Sequence, residues 1–506
     1  MGTKYHLSTS AVCILLSAIV LRLLTNRYKR VLRDIPGPVL ARYSRLWKLY
    51  SVWKGDHHHV EIDLHRKHGS LVRIGPNHIS VSDPSAIPLI YGLNKGFTKT
   101  GFYPLQSITW NKKPQENIFS TRDVAYHRAQ RRKTANAYSL SSLLESEPGV
   151  DSCTALFTTQ LSKFADQQIP VDLGSWLQYY AFDVVGEVTF SKKLGFLEQG
   201  CDVDNMMETI RGILIYSSVC GQVPELHNVL LGNPLIPILL PGAEAWNQVL
   251  QFTLKAISLQ APLKESGEIG ADKLDGKDMM ARWMAIHQAD PERFSTRDAI
   301  VNLSTNVFAG SDTTAIALRA ILYFLMRNPA EMAKVVTEID TAVSEDKISN
   351  PISYHESTTH LPYMGAVIKE ALRLHPSVGL ILEREVPEPG VEICGKHIPG
   401  GTTVGINAWV VNRTEKIFPN PDEFLPARWL ESSPEELRVM EQTTLTFGAG
   451  SRSCIGKHIS FMEMYKVIPQ LLREFEIRLH GPGEWKTQNI WFVQQDGLIC
   501  DLVKRK

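Results

Sequence analysis

The sequence predicts a mainly α-helical protein with a minor β portion (α+β), preceded by an N-terminal transmembrane helix. Three observations lead to this prediction. Apolar residues recur mostly at helical spacing over residues 123–326. Stretches with strand character are confined to residues 71–81 and 378–411. A mainly apolar segment, residues 7–24, lies near the start of the chain.

Composition narrows the class of protein. The chain has 506 residues, with 54 Lys+Arg against 53 Asp+Glu and a net charge of +1, which argues against a nucleic-acid partner. Hydrophobic residues make up 43% and charged residues 21%, as in a globular protein. The seven cysteines are irregularly spaced without a CxxC pair, so we expect reduced thiols, mostly in the core, and no zinc ribbon or disulfide framework.

The apolar segment 7–24 is long enough to anchor the protein in a membrane. Its 18 residues give roughly 27 Å of helix, which suits a thin bilayer. A single lysine, Lys4, precedes it and a basic cluster follows, so the positive-inside rule places the rest of the chain in the cytosol. The cluster comprises Arg27, Lys29, Arg30 and Arg33. A cleaved signal peptide is the alternative, but no small-residue cleavage site follows and the basic cluster lies on the wrong side.

We therefore expect residues 1–33 to be the anchor with its basic flank and residues 34–506 to be one domain. Residues 34–38 (DIPGP) cannot continue a helix and predict a stiff hinge. Internal repeats and long Gly/Ser linkers are absent from the sequence. Pro148-Gly149 and Pro241-Gly242 predict turns between helices. Residues 230–240 are apolar but broken by prolines, and are either a buried loop or a second surface that dips into the membrane.

A single cysteine stands in a distinctive sequence, FGAGSRSCIG over residues 447–456. Glycines predict a tight loop, Arg452 precedes Cys454 by two, and a helical pattern begins just after. Helix N–H groups and a nearby cation lower the pKa of a thiol, and a thiolate is the ligand that soft metals require. A lone cysteine before a helix is otherwise an ordinary core residue.

This sequence resembles the FxxGxRxCxG signature of the cytochrome P-450 superfamily, whose haem iron is bound by a cysteine thiolate. The resemblance implies that Cys454 is the axial ligand of haem b and that Arg452 pairs with a haem propionate. It also implies that Phe447 packs near the sulfur and that Gly448 and Gly456 lie against the cofactor.

Two further segments resemble the family's structural Glu–Arg–Arg network. Glu370 and Arg373 form an ExxR pair in a helix that Pro362 opens and that ends before Pro376. Alone, such a pair is more often an ordinary surface pair. With Arg428 it implies a buried network that serves folding and haem retention, since removing one member would leave an unpaired charge.

The segment 309–314 (AGSDTT) lies in a helix that we expect to begin at the capping signal 295–298 and to run to about Met326. The Thr313 hydroxyl can bond the Ala309 carbonyl and loosen the helix. Alone this predicts an ordinary kink. Beside the Cys454 motif it resembles the oxygen-activation site, with Asp312 and Thr313 as the proton-relaying pair and Ala309 against the haem.

One departure from the family pattern concerns the haem propionates. Where family members carry WxxxR, this chain has His127 and Arg131. We expect both to contact the haem, although His127 is otherwise a solvated helix residue; Arg384 is a further propionate candidate by position.

Other charged clusters receive simpler interpretations. A basic cluster around the expected proximal side is either a docking surface for an acidic electron donor or a solvated face. Its members are Arg128, Arg131, Arg132, Lys133, Lys457 and His458. The tract 57–59 (HHH) is expected to be a solvated loop.

The family's positions imply an apolar pocket and a lipophilic small-molecule substrate. The expected lining segments are 102–119, 206–220, Asn302, Asn306, Ala309, the strand 378–382 and the turn 492–493. Residues 97–103 (FTKTGFY) and 384–387 (REVP) resemble the fungal subgroup that includes pisatin demethylase and acts in secondary metabolism.

The resemblance, which spans about residues 35–500, implies a monooxygenase that inserts one atom of O₂ into its substrate. Electrons would come from NADPH through NADPH-cytochrome P-450 reductase, and the anchor would place the enzyme in the endoplasmic reticulum membrane with its catalytic domain in the cytosol. Two alternatives stay open: a haem-thiolate isomerase or dehydratase that needs no O₂, and a non-catalytic haem-binding protein.

Overall fold

The computed structural model describes residues 2–28, 32–110, 113–230, 245–265, 278–481 and 484–505. About 60% of the chain is helix and 12% strand, which confirms the predicted class. The helices are α1 Gly2–Arg27, α2 Leu46–Lys54, α3 His57–His68, α4 Ile87–Tyr91, α5 Val124–Thr134, α6 Leu140–Leu144, α7 Glu147–Gln167, α8 Leu173–Phe190, α9 Phe196–Gln199, α10 Met206–Cys220, α11 His227–Leu230, α12 Ala245–Glu265, α13 Met279–Ala289, α14 Thr296–Arg327, α15 Pro329–Ser344, α16 Tyr354–His360, α17 Pro362–Leu374, α18 Ala408–Val411, α19 Arg428–Glu431, α20 Pro434–Thr443 and α21 Lys457–Glu474.

The strands form small sheets beside the helices. They are β1 Leu71–Gly75, β2 His78–Val81, β3 Ile108–Trp110, β4 Lys113–Gln115, β5 Val171–Asp172, β6 Arg384–Glu385, β7 Gly390–Ile393, β8 Lys396–Pro399, β9 Thr403–Ile406, β10 Phe475–Leu479, β11 Lys486–Ile490, β12 Phe492–Asp496 and β13 Ile499–Lys504. The largest sheet has the order β1-β2-β9-β6, with β2 and β9 parallel and the other neighbours antiparallel. A second sheet has the order β10-β13-β5, and β3–β4, β7–β8 and β11–β12 pair as hairpins.

Helix α14 is the long buried helix around which α8, α17 and α21 pack. It begins at the predicted cap: the Ser295 hydroxyl accepts from the Asp298 N–H (3.2 Å) and the Asp298 carboxylate accepts from the Ser295 N–H (3.1 Å). A Cβ at Gly310 would lie 2.7 Å from Cγ2 of Val185 on α8. The unfavourable mid-helix glycine therefore allows the two helices to approach closely.

The hinge segment is packed against the domain. Ile35 is buried with the residues of the largest sheet. The buried guanidinium of Arg73 on β1 donates to the carbonyls of Asn26 (2.6 Å) and Leu32 (3.3 Å), so β1 holds the end of α1 and the start of the hinge. A Cβ at Gly37 would lie 2.2 Å from the Arg73 carbonyl oxygen, which explains the glycine between the two prolines.

Membrane spanning by α1 stays a prediction. Its Val12, Ile14 and Leu21 side chains are exposed. Within the described ranges, one helix is long and apolar enough to cross a bilayer, and it is α14, whose most apolar window is 72% buried inside the protein. That helix belongs to the core.

Several local predictions were wrong. The tract 57–59 is not a solvated loop but the start of α3, and its His57 and His58 are buried. His57 Nδ1 is hydrogen-bonded to the Ser51 hydroxyl (2.8 Å), and the Trp409 ring packs on His58. Burial holds the pKa of both imidazoles well below the usual range, so both are neutral.

Pro148 and Gly149 lie in the first turn of α7, where proline is tolerated, rather than in a turn. Residues 378–382 form no strand; Val378 alone bridges to Phe492. Pro241, Gly242 and residues 231–240 lie outside the described residues. All seven cysteines are free, but only Cys153, Cys220 and Cys500 are buried, so the expectation of mostly core thiols was also wrong.

Candidate active site

A cavity of about 280 Å³ opens between α14 and the loop that precedes α21. Thr305, Ala309 and Thr313 of α14 line one side. The loop residues 447–456 line another, and the segment from Tyr103 to Phe119, with Leu380, Leu382, Trp491 and Phe492, closes much of the rest. Most of this wall is apolar, as in small-molecule sites generally.

The loop before α21 presents Cys454 to this cavity. The Cys454 N–H donates to the Phe447 carbonyl (2.8 Å) and closes the loop. Gly448 and Gly450 adopt φ of +65° and +64°, and a Cβ at Gly450 would lie 1.7 Å from the Tyr91 carbonyl oxygen. The loop therefore needs glycine at position 450, and it places the thiol just before the first turn of α21.

Two opposing effects act on the Cys454 thiol. The accessible surface of Cys454 faces the cavity and not the outside of the protein. The thiol is therefore poorly hydrated, and this desolvation raises its pKa. The N–H groups of Gly456 and Lys457, together with the Arg131 charge, act in the opposite direction. The expectation of a lowered pKa was wrong for the protein alone, because desolvation outweighs the helix N-terminus. Coordination to a metal ion would favour the thiolate form of Cys454.

Cations gather on the same wall. Arg384, Arg452 and Lys99 line the cavity together with Tyr103. Arg384 Nη1 donates to the Tyr103 hydroxyl (3.1 Å), and Arg452 Nη1 donates to the Ile118 carbonyl (3.3 Å). Burial and the neighbouring Arg384 lower the pKa of Arg452 to about 10, so it stays charged at neutral pH.

His127 and Arg131 both project from α5 and line the cavity. His127 is buried, and burial with nearby Arg452 lowers its pKa to about 3, so it is a neutral donor and acceptor rather than a cation. The alternative prediction, that His127 is a solvated helix residue, was wrong. Arg131 Nη1 donates to the Ser453 carbonyl (2.8 Å), next to Cys454, and so also supports the cysteine loop.

Thr313 lines the cavity on the α14 side, and the cysteine loop lines another side. Thr313 Oγ1 donates to the Ala309 carbonyl (3.0 Å), as the sequence predicted, while α14 stays helical through this point. The Thr313 carbonyl accepts from the Ser377 hydroxyl (2.9 Å), which fixes the segment against the cavity floor.

Asp312 does not line the cavity; it lies behind the wall that Thr313 forms, because consecutive helical residues point about 100° apart. Gln178 donates to Oδ1, and Gln494 Nε2 donates to Oδ2 (3.0 Å). Burial raises the pKa of Asp312 to about 6, although the Arg319 charge and both amides oppose the shift. Arg211 Nη1 donates to Gln494 Oε1 (2.7 Å) and extends this network beyond the core.

The structure brings Glu370, Arg373 and Arg428 together away from the cavity. Arg373 binds Glu370 through two bonds, Nε to Oε2 (2.8 Å) and Nη2 to Oε1 (2.7 Å), with both side chains fully buried. Arg428 Nε donates to Oε1 (3.1 Å), and Trp429 Nε1, which the sequence did not indicate, donates to Oε2 (2.9 Å). Arg373 also binds the carbonyls of Asn412 and Pro421, so the pair holds the segment leading to the cysteine loop.

The predicted pocket is correct in part. Phe119, Asn306, Val378 and Phe492 line the cavity, but α10 and Asn302 do not. Gln106 lies in the predicted segment 102–119, but the sequence did not single it out; its buried amide lines the cavity without a hydrogen-bond partner among the described residues. The sequence also did not single out Lys99, which lines the cavity and appears in the sequence only as a lone lysine between aromatic residues.

The sequence profile of the cytochrome P450 family matches residues 36–499. The chain belongs to the cytochrome P450 family. It is 38% identical over 483 residues to cytochrome P450 monooxygenase cicH of Emericella nidulans, covering 95% of each chain. It is 40% identical to a cytochrome P450 monooxygenase of Aspergillus terreus (88% of this chain, 90% of the relative). It is 39% identical to pisatin demethylase of Fusarium vanettenii (92% and 89%).

Family membership makes the chain an oxidoreductase of the monooxygenase class, with a cysteine-ligated haem as its cofactor. The cavity fits that group. Cys454 is accessible within it, and a Cβ at Gly456 would meet no protein atom within 4 Å, which leaves room for a flat macrocycle. Within the described part of the chain, neither Arg384 nor Arg452 has a carboxylate within 4 Å, which suits the two haem propionates.

Replacing Arg373 with leucine tests the buried network. Glu370 would keep Arg428 but lose its bidentate partner in a fully buried site, so we expect a loss of about 3–5 kcal/mol in the free energy of unfolding. Thermal and denaturant unfolding of the solubilised protein measure this loss.

The matched control is Arg438→Leu, which removes another i,i+3 pair, the exposed Arg438–Glu435 contact at 2.6 Å. It should leave the unfolding midpoint unchanged, since exposed pairs contribute little. Equal effects of the two variants would contradict the assignment.

Proposed function

We propose that the protein is a fungal monooxygenase that inserts one oxygen atom of O₂ into a lipophilic small molecule in a secondary-metabolite pathway. One observation carries the proposal: Cys454 and Thr313 line the same largely apolar cavity. The fungal relatives, including one named pisatin demethylase, support the metabolic context.

When bound, a thiolate-ligated haem supplies the activation of O₂ and favours O–O cleavage. Cys454 is the residue that would ligate its iron, and Arg384, Arg452 and His127 would hold its propionates. The chain's remaining task is to hold the substrate and to deliver protons.

Asp312 and Thr313 have different roles in delivering protons to the cavity. Thr313 donates its own proton to Ala309, so its oxygen is free to accept a hydrogen bond from a molecule in the cavity. Asp312 is held behind it by two amides, with a pKa of about 6 that suits proton exchange near neutral pH. Its connection through Gln494 to Arg211 points away from the cavity, so protons would enter from that side and reach Thr313 through water.

The cavity wall indicates the substrate's character. Phe119 and Trp491 lie with ring centroids 5.3 Å apart, and both line the cavity with Phe492. Gln106 offers an unpaired donor and acceptor within this apolar wall. A ring-containing lipophilic molecule with one hydroxyl, amide or carbonyl group satisfies both features.

A reductase would bind on the side of α5 and the start of α21. Arg128, Arg132 and Lys457 are exposed there, close in the chain to Arg131 and Cys454. Such a basic surface would attract an acidic electron donor. NADPH-cytochrome P-450 reductase is the proposed donor, and a solvated face is the alternative.

We place the enzyme in the endoplasmic reticulum membrane, with α1 as a single span and the catalytic domain in the cytosol. The exposed apolar residues of α1 and the basic residues after it support this location. The full chain should resist carbonate extraction from microsomes, whereas release of the intact protein by carbonate would contradict the anchor.

The reaction class is tested with the purified holoenzyme, reductase and NADPH under ¹⁸O₂, using candidate aromatic metabolites that perturb the haem spectrum. We expect product that carries one ¹⁸O atom. Omission of reductase or NADPH should abolish it, and Arg132→Glu should slow it by weakening docking. Product formed without NADPH would instead indicate an isomerase or dehydratase.

Thr313→Ala tests the proton relay. Substrate binding should be unchanged, but the fraction of NADPH electrons recovered in product should fall about tenfold or more, because the hydroxyl no longer passes the proton. Thr305→Ala is the matched control, since Thr305 also lines the cavity and bonds the carbonyl four residues back (2.7 Å). Normal coupling in Thr313→Ala would undermine the relay and favour a different source of protons.

A further inference from the structure

Lys99 is a buried lysine on the wall of the haem cavity. It is 4% exposed, and its ammonium group lies 4.1 Å from the centroid of the Tyr103 ring and 3.9 Å from that of Phe119. Its Nζ donates to the Phe119 carbonyl. In the ranges that the structure describes, no carboxylate lies within 4 Å of this ammonium.

Lys99 shares its surroundings with the two arginines expected at the propionates. The Lys99 ammonium group lies over the Tyr103 ring, and Arg384 donates a hydrogen bond to the Tyr103 hydroxyl (3.1 Å). Arg452 donates a hydrogen bond to the Ile118 carbonyl, and Lys99 donates one to the adjacent Phe119 carbonyl. Three cations therefore converge on one short stretch of cavity wall.

The two carboxylates adjacent to Arg384 in sequence have other partners. Glu383 binds Lys48 (2.8 Å) and accepts from Thr100 (2.8 Å), and Glu385 binds Arg122 (2.9 Å).

Lys99 and Arg384 are buried and Arg452 is half-buried, and burial beside the two arginines lowers the pKa of Lys99 well below its usual range. Ring faces and neutral carbonyls compensate only part of the hydration that a charged group loses on burial. An anionic group on this wall would favour the charged form of Lys99, and haem carries two carboxylates.

His127 adds a hydrogen-bonding group but no positive charge to this wall. It stands where family members carry the tryptophan of WxxxR, and its imidazole is neutral beside Arg452, Lys99 and Arg131. It can therefore donate a single hydrogen bond but contributes no charge to a propionate.

From this convergence we propose that Lys99 binds a haem carboxylate, as a third cation beside Arg384 and Arg452, and thereby retains the haem. A carboxylate on the substrate has the same chemistry, but the shared contacts with both arginines favour the propionate. The Tyr103 and Phe119 rings contact the ammonium group itself, so this group is positioned before the carboxylate arrives.

The test compares haem release from detergent-solubilised full-length holoenzyme to excess apomyoglobin. Lys99→Met keeps an unbranched side chain of similar length and removes the ammonium group. We expect haem release to accelerate about tenfold or more, and the propionate-bending band in the resonance Raman spectrum to shift. Lys99→Arg should restore most of the retention, and Lys95→Met, an exposed lysine in the same loop, should behave as wild type.

Reconstitution with haem dimethyl ester separates charge from packing. With both carboxylates esterified, wild type and Lys99→Met should release the cofactor at the same rate. An acceleration that persists with the ester would assign Lys99 a packing role and overturn the proposal. Unchanged haem release with weakened binding of carboxylate-bearing ligands alone would overturn it in favour of substrate recognition.

Discussion

The site depends on one thiol held at the start of a helix inside the protein. The bond from the Cys454 N–H to the Phe447 carbonyl closes the loop, and Arg131 holds the preceding Ser453. The Glu370–Arg373 pair binds the backbone at Asn412 and Pro421 upstream of that loop. The buried Glu370–Arg373 pair, although it lies away from the cavity, thus fixes the backbone that positions the Cys454 sulfur.

Charge is distributed unevenly around the cavity. Lys99, Arg384 and Arg452 gather on one wall, while Asp312 projects from α14 away from the cavity and has neutral amides as its direct hydrogen-bond partners. The cations suit a dianionic cofactor at that wall. The isolated carboxylate, with its raised pKa, suits proton transfer behind Thr313. The same low-polarity interior produces both properties, because it penalises any charge without a partner.

Short-range signals predicted much of this arrangement. The cap at Ser295, the ExxR pair and the bond from Thr313 to Ala309 each depend on neighbours within four residues, and all three are present. Of the features that depend on distant contacts, the Glu370–Arg428 bond that the family resemblance implied is present, but others were wrong or missing. The histidine tract is buried because Trp409 packs on it, burial raises the Cys454 pKa, and Lys99 meets Arg384 only through the tertiary fold.

Thiolate ligation by Cys454 is the central claim, and the carbon monoxide difference spectrum of the reduced, detergent-solubilised protein tests it most directly. We predict a strongly red-shifted Soret band for the wild type that is lost in Cys454→Ser. A band at the position of histidine-ligated haem in well-folded wild-type protein, or one that survives in Cys454→Ser, would contradict the axial assignment and the monooxygenase mechanism that depends on it.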